Sequence, residues 1–200
     1  YSIGNPPSVF ISHSKHDTEN VSFFAKILAN TGLKGTFMEW EDIDNQYAGS
    51  RIADIIRSDV QENTDAIIVL LGQSLENPPT ESKQYTHNWV NFEVGVAAGC
   101  RKPVWVFEEF DKFHKFPIPY VTDYAQYNLN NNDHLQYYTN ILKDRILTSY
   151  NTTKPVKNVK CQHENCNASY RLWSKSEVIY CPVCRRLTGG NLADGIQPQI

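Results

Sequence analysis

The sequence predicts an α/β fold, a doubly wound parallel sheet followed by a small metal-binding unit. Patterns typical of strands and of helices alternate through the first 150 residues, an order typical of a parallel sheet with helices on both faces. Residues 65–71 form a continuous apolar run, as expected of a strand that is covered on both sides. Four of the five cysteines fall in the last 50 residues. We therefore predict one domain at residues 1–152 and a second at residues 153–200.

Apolar periodicity and turn residues place each element. In chain order the sequence predicts a strand at 8–12, a helix at 17–31, a strand at 35–38, a helix at 52–60, a strand at 65–71, a helix at 87–99, a strand at 104–107, an edge strand at 117–121 and a helix at 134–150. Gly32 ends the first helix, because glycine adopts the left-handed conformation that terminates helices. The prolines in 117–121 restrict that segment to a sheet edge. The loops at 12–16, 39–50 and 72–86 should rim one crevice, because ligands of such sheets bind outside the carboxyl ends of the strands.

Charge and hydropathy exclude several classes of protein. Residues 1–150 carry 12 Lys and Arg against 19 Asp and Glu, a net charge of −7, whereas residues 151–200 carry 7 against 3, a net charge of +4. An acidic body does not fit broad binding to a phosphate backbone, so we do not expect a nucleic acid as partner. No apolar run approaches the ~18 residues of a membrane span, and the N-terminus lacks a signal-peptide pattern. We therefore expect a soluble, cytoplasmic protein with no membrane partner.

The segment Trp89–Glu93 lies in the apolar helix predicted at 87–99 and combines an acid with aromatic side chains. Residues four apart share one helix face, so Trp89 and Glu93 lie one turn apart. A carboxylate among apolar side chains must be paired, lie at the edge of a cleft or serve chemistry. Beside an aromatic surface it suits reactions at the anomeric carbon of a sugar, where positive charge develops in the transition state. Spacing alone also allows a simpler interpretation, a core tryptophan and a surface glutamate.

Several motifs, in this order, resemble those of Toll/interleukin-receptor (TIR) domains over residues 7–150. The matching segments are Val9–Ser14, Glu41–Ile43 with Gly49, Ile67–Leu71 with Ser74–Leu75, and Trp89-x3-Glu93. They are similar to the family's first box, the loop after its second strand, its third strand and exit, and the position where catalytically active members carry their glutamate. His13 stands where tyrosine is more usual. The stretch Glu93–Ala97 with Lys102–Val104 favours the prokaryotic-like branch.

This resemblance implies a TIR fold, with a flavodoxin-like sheet, and an enzyme that cleaves the nicotinamide–ribose bond of NAD+. Glu93 would be the catalytic residue. The residues that would bind the substrate are Trp89, Ser14, His13, Phe10 and Ile43. The products would be nicotinamide and either ADP-ribose or a cyclic ADP-ribose isomer. By analogy with the family we expect self-association through TIR–TIR contacts, a role in antiviral defence signalling and a downstream effector that senses the nucleotide product.

Two other functions fit parts of the same sequence. The stretch Glu93–Ala97 with Lys102–Val104 also resembles nucleoside 2-deoxyribosyltransferases, which attack an anomeric carbon with a glutamate. Their usual Asp-rich element is replaced here by Gln84–Asn88. The other alternative is a non-enzymatic TIR scaffold that acts through TIR–TIR contacts and has no need of the glutamate. We therefore favour the NAD+ nucleosidase.

Cys161, Cys166, Cys181 and Cys184 form two closely spaced pairs that predict a zinc ribbon. A structural zinc site takes four ligands in a tetrahedron, and two short pairs supply them with little loop-closure cost. The first pair has a looser spacing than the second, so His163 is an alternative ligand. A disulfide framework is another alternative, but it does not suit a cytoplasmic chain. We predict a structural Zn²⁺, because four cysteines leave no open position for catalysis.

Overall fold

The computed structural model describes alternating strands and helices followed by a hairpin. It describes residues 6–14, 16–37, 49–72, 83–110, 112, 114–148, 152–175 and 180–187. The strands are β1 (Ser8–Ser12), β2 (Lys34–Phe37), β3 (Ala66–Leu71), β4 (Val104–Glu109), β5 (Asp123–Tyr127), β6 (Lys157–Lys160) and β7 (Ser169–Leu172). The helices are α1 (Thr18–Thr31), α2 (Gly49–Glu62), α3 (Lys83–Gly99) and α4 (Asn132–Leu142), the last continued by a π-helical turn at Lys143–Leu147. Within these residues no helix has both the length and the apolar character needed to cross a membrane.

The seven strands form one sheet in the order β2-β1-β3-β4-β5-β7-β6. The first five are parallel, and their order 2-1-3-4-5 is that of flavodoxin-like doubly wound sheets. Helices α1 and α4 pack on one face, and α2 and α3 pack on the other. Alternate residues of a strand point to opposite faces, so Phe10 enters one core while Val9 and Ile11 enter the other. This arrangement confirms the predicted α/β class.

The first half of the sheet follows the sequence pattern closely. Helix α1 ends at Gly32, whose φ of 81° is the left-handed conformation expected of a helix-ending glycine. Strand β1 and helix α2 cover the segments predicted for them, and β3 begins one residue later than predicted, at Ala66. Most of the predicted loop at 39–50 lies outside the described residues.

One prediction for the second half is wrong, and another has bounds that differ from those observed. Residues 117–121 form no strand, and the backbone N–H of Ile118 donates instead to the carbonyl of Pro182 at 2.9 Å. The strand begins later, at Asp123, and lies inside the sheet between β4 and β7. The helix predicted at 134–150 begins earlier, where Asn131 accepts a capping hydrogen bond from the backbone N–H of Asp133 at 2.9 Å. Its α-helical part ends at Leu142, before the π-helical turn.

The described connection between β4 and β5 contains no helix, although parallel strands are usually joined by one. Phe116, Ile118 and Val121 of this connection are buried in the core beneath α2 and α3. The hairpin β6–β7 extends the sheet, with β7 parallel to β5 and antiparallel to β6. Cys161 and Cys181 share the same core. The C-terminal unit is therefore continuous with the sheet, and a domain boundary after residue 152 stays a prediction.

Candidate functional site

The crevice of a doubly wound sheet lies where neighbouring strands are connected toward opposite sides. In this chain that point lies between β1 and β3, because the chain runs from β1 to β2 on one side and from β3 to β4 on the other. Strand β1 ends at Ser12, and β3 ends at Leu71, immediately before Gly72. Side chains at these carboxyl ends, and on the helices beside them, are therefore the candidates for a ligand site.

Glu93 is a buried acid at this crevice, on helix α3, with 7% of its surface exposed. The hydroxyl of Ser12 donates a hydrogen bond to Glu93 Oε2 and so joins α3 to the carboxyl end of β1. Burial raises the pKa of Glu93 to about 8, while the hydrogen bond from Ser12 acts in the opposite direction. The carboxyl is therefore mostly protonated at neutral pH, and nearby positive charge would ionise it.

A second carboxyl, that of Asp17, approaches the crevice from the start of α1. Asp17 occupies the N-cap position but makes no side-chain capping hydrogen bond. Its carboxyl lies against Gly72, where an added Cβ would come within 2.2 Å of Asp17 Oδ2. Only glycine permits so close an approach. The sequence predicts Asp17 only as a helix cap, although a glycine directly after a buried strand is a signal of close approach.

His13 and Ser14 lie on the turn that follows Ser12. Ser14 is buried, and its hydroxyl accepts a hydrogen bond from the backbone N–H of His16 at 3.4 Å. His13 is half-buried, with its ring centroid 6.0 Å from that of Phe37. Both ring nitrogens of His13 are buried and have no hydrogen-bond partner among the described residues. Buried polar atoms are usually paired, so a ligand would satisfy this imidazole.

The other predicted substrate-binding residues are Trp89, Phe10 and Ile43. Trp89 is half-buried and packs edge-on against Phe92, with ring centroids 5.8 Å apart. Its contact with a substrate stays a prediction. Phe10 is fully buried in the core and offers no surface to a ligand. Ile43 lies outside the described residues.

A second buried glutamate, Glu108, lies at the carboxyl end of β4 and is 1% exposed. Its Oε1 accepts hydrogen bonds from Arg185 and from the backbone N–H of His114 at 3.2 Å, and lies 2.9 Å from His114 Nδ1. Its Oε2 accepts a hydrogen bond from the hydroxyl of Tyr124 at 2.5 Å. Burial alone would raise the pKa of Glu108, but His114, Arg185 and Tyr124 outweigh it and hold this pKa below its usual value. Glu108 is therefore an ionised structural anchor, which no sequence motif marks.

The four cysteines of the tail converge as the sequence predicts. Their sulfur atoms all lie within 4.8 Å of one another. Cys161 Sγ is 3.7 Å from Cys184 Sγ, and Cys166 Sγ is 3.8 Å from Cys181 Sγ. Four thiolates that surround a zinc ion at about 2.3 Å have neighbouring sulfurs about 3.8 Å apart, so the cluster fits tetrahedral zinc. These distances are too long for disulfides, whose sulfurs lie about 2.05 Å apart.

His163, the alternative ligand, lies away from this set. Its Nε2 is 3.0 Å from the carbonyl oxygen of Leu187. Asn165 and Asn167, on either side of Cys166, have φ values of 66° and 49°, a left-handed conformation that asparagine tolerates better than most residues. These two turns bring Cys166 of the more widely spaced pair to the cluster, so four cysteines complete the candidate zinc site.

Comparisons with known proteins do not identify the reaction of this chain. No protein-family model matches the sequence, and no curated protein matches it. The structure is similar to that of a CMP N-glycosidase from Clostridium botulinum, with 13% sequence identity and a TM-score of 0.37, over 64% of this chain and 95% of the other.

Proposed function

We propose that this chain cleaves the nicotinamide–ribose bond of NAD+, with Glu93 as the catalytic residue. The observation that carries the proposal is the buried carboxyl of Glu93, held by the Ser12 hydroxyl at the point where the strand order reverses. A titratable group with a strongly perturbed pKa in a cleft is a candidate for catalysis. The resemblance of the chain to NAD+-cleaving TIR domains supports the choice of substrate.

The charge of NAD+ explains why a raised pKa would be useful at Glu93. The nicotinamide ring of the substrate is cationic, and a cation beside Glu93 favours the ionised carboxyl. The carboxylate would then stabilise positive charge on the ribosyl carbon or bond to that carbon. The C–N bond breaks, and nicotinamide leaves as a neutral base with the electron pair. Water or a second nucleophile on the same nucleotide completes hydrolysis or cyclisation.

The neighbouring side chains have complementary roles in this proposal. The Ser12 hydroxyl orients the Glu93 carboxyl through its hydrogen bond. The Asp17 carboxyl beside Gly72 adds negative charge that favours a cationic substrate. The buried ring nitrogens of His13 would bind polar groups of the nicotinamide or ribose. Trp89 would shield the site from water.

The TIR resemblance also supports self-association and a signalling role. The loop at 39–50, which resembles the segment that bridges copies in the family, lies largely outside the described residues. Self-association therefore rests on the resemblance, as do antiviral signalling and a downstream effector that senses the product. A turnover rate per molecule that rises with protein concentration would support self-association, whereas a constant rate from a demonstrated monomer would contradict it.

Nicotinamide release from NAD+, measured by mass spectrometry on the purified chain, tests the proposal. The substitution Glu93→Gln keeps the shape of the side chain but removes its charge. We expect turnover to fall by at least about 1,000-fold, as on loss of other catalytic side chains. Glu62→Gln is the matched control, because Glu62 is exposed at the C-terminal end of α2, at the opposite edge of the sheet.

Other results of these assays would contradict the role of Glu93 or favour one of the alternative functions. Equal turnover of NAD+ by the parent and by Glu93→Gln would contradict the role of Glu93. Cleavage of a 2′-deoxynucleoside, with NAD+ left intact, would favour the transferase. Assembly in solution with no bond cleavage would favour the scaffold. A cyclic ADP-ribose isomer among the products would support a nucleotide signal, whereas linear ADP-ribose alone would count against it.

A further inference from the structure

The connection between β4 and β5 leaves part of one sheet face without a crossover helix. The zinc ribbon, defined here as residues 157–187, extends the sheet through β6 and β7 and adds side chains to the core on that face. The buried residues that meet in this core are Phe116, Ile118, Val121 and Tyr124 from the body and Val159, Cys161, Tyr170, Leu172 and Cys181 from the ribbon. These ribbon side chains therefore help to bury a connection that has no helix of its own among the described residues.

Two buried carboxylates outside the ribbon accept hydrogen bonds from it. One lies at the amino end of β5 and the other near the carboxyl end of β4. Asp123, at the start of β5, accepts hydrogen bonds from Arg171 Nε and Nη2 at 2.7 and 2.8 Å and from Trp173 Nε1 at 2.8 Å. Glu108, at the carboxyl end of β4, accepts a hydrogen bond from Arg185 Nη2. Hydrogen bonds between a guanidinium and a carboxylate are strong and directional. They link the position of the ribbon directly to the two strands.

Arg185 connects the metal cluster to the body through a constrained turn. It directly follows Cys184, and its φ of 58° is a left-handed conformation that an arginine disfavours. Its backbone N–H donates to the carbonyl of Cys181 at 2.8 Å, and its Nε donates to the carbonyl of His114 at 2.5 Å. Bound zinc fixes the turn between its cysteine ligands, so the metal would hold Arg185 in this unfavourable conformation.

We propose that zinc binding by the four cysteines latches the ribbon onto the sheet and thereby fixes the β4–β5 side of the crevice. With zinc bound, Arg185 stays on Glu108 and the crossover stays covered. On loss of zinc the turn after Cys184 relaxes, Arg185 withdraws, and Glu108 is left buried without its cation. An uncompensated buried charge is strongly destabilising, so the end of β4 and the crossover open. This inference concerns the fold that carries the site and does not depend on the substrate.

Hydrogen exchange of the full chain, followed by mass spectrometry before and after zinc is removed with a chelator, tests the latch. We expect exchange at 104–127 to accelerate at least about tenfold, because local opening exposes these amides. Exchange at 8–31, which contains β1 and α1, should change much less. Equally faster exchange at 8–31 would show unfolding of the whole chain and would overturn a latch that acts locally on the β4–β5 side. Unchanged exchange at 104–127 in the zinc-free chain would overturn the proposal.

Arg185→Ala separates the latch from folding of the metal site. All four cysteines remain, so we expect one zinc per chain by elemental analysis together with faster exchange at 104–127. Arg186→Ala is the matched control, because Arg186 is the next residue and its side chain is exposed. We expect that variant to exchange like the parent. Parent-like exchange at 104–127 in zinc-loaded Arg185→Ala would overturn the latch even if the zinc-free chain opens.

Discussion

Glu93 and Glu108 are the same residue type, similarly buried, on the same side of the sheet near its carboxyl edge, and they behave in opposite ways. Among the described residues Glu93 has one hydrogen-bond partner, Ser12, and burial raises its pKa to about 8. Glu108 has His114, Arg185 and Tyr124 as partners, which together overcome the effect of burial and lower its pKa. The comparison shows that burial alone does not distinguish a carboxyl with a raised pKa from one with a lowered pKa. The number and charge of the partners do.

The presence or absence of a neighbouring cation also determines whether each carboxyl can interact with a cationic substrate. The charge of Glu108 is neutralised inside the protein, because Glu108 forms an ion pair with Arg185 of the ribbon. The carboxyl of Glu93 has no cation beside it among the described residues, so a cationic substrate would provide the missing charge. A binding site that is completed by its ligand is characteristic of catalysis by electrostatic stabilisation.

The largest effect that we expect is an opposite change in stability when each glutamate is replaced by glutamine. At pH 8, Glu108→Gln should lower the free energy of unfolding by about 3–5 kcal/mol, because Arg185 is left buried without a counter-charge. Glu93→Gln should raise it, because a buried carboxylate is replaced by a neutral amide. Urea unfolding of both variants and of the control Glu62→Gln measures the difference. Equal changes in the free energy of unfolding at the two buried positions would show that the two carboxyls do not differ in ionisation.

The pH dependence of these changes follows from the direction of each shift. The folded-state pKa of Glu93 is raised from 4.5 to about 8, so its contribution to stability is complete below pH 4.5 and is lost as pH rises toward 8. The slope between these values is about 1.4 kcal/mol per pH unit. The folded-state pKa of Glu108 is lowered, so its contribution is present above pH 4.5 and is lost in acid. The advantage of Glu93→Gln should therefore grow from pH 5 to pH 8 and then level off.

A smaller effect should follow from removal of the one hydrogen bond to Glu93. In the parent, kcat/KM for NAD+ should rise with pH to a plateau above about 8, because kcat/KM reports the free enzyme. Ser12→Ala removes the interaction that favours the charged carboxyl, so the rise should move to higher pH. At pH 7 we expect kcat/KM to fall roughly tenfold, the value of one hydrogen bond to a charged group.

Ser58→Ala is the control for this experiment, because Ser58 is exposed on α2. Its pH profile should match that of the parent. A parent activity that falls as pH rises toward 8 would show that the protonated carboxyl is the active form. Glu93 would then act as a general acid rather than as a carboxylate.

The sequence predicts those parts of the fold and site that depend on local spacing. The apolar run of β3, the end of α1 at Gly32 and the cysteine pairs are each recognisable within a few residues. Glu93 is also marked locally, by its distance from Trp89 and by the apolar side chains around it. Its burial confirms that it is not a surface residue.

The parts that the sequence does not predict depend on distant partners. Strand β5 contains Asp123 and Gln126, polar residues that do not resemble an interior strand, and Asp123 is neutralised by Arg171, 48 residues later. Glu108 meets Arg185, which lies 77 residues away. No local pattern carries such information, because each side chain is tolerated in the interior only once its partner is in place.

The most direct test of the central claim is a titration of the Glu93 carboxyl itself. Carbon-13 NMR of the labelled chain follows the δ-carbon of each glutamate, and the signal that disappears in Glu93→Gln assigns Glu93. We predict a midpoint near pH 8 in the free chain, and a lower midpoint when a cationic nicotinamide nucleoside that resists cleavage is bound. A midpoint near 4.5, the usual value for a glutamate, or one that the cation leaves unchanged, would contradict the account.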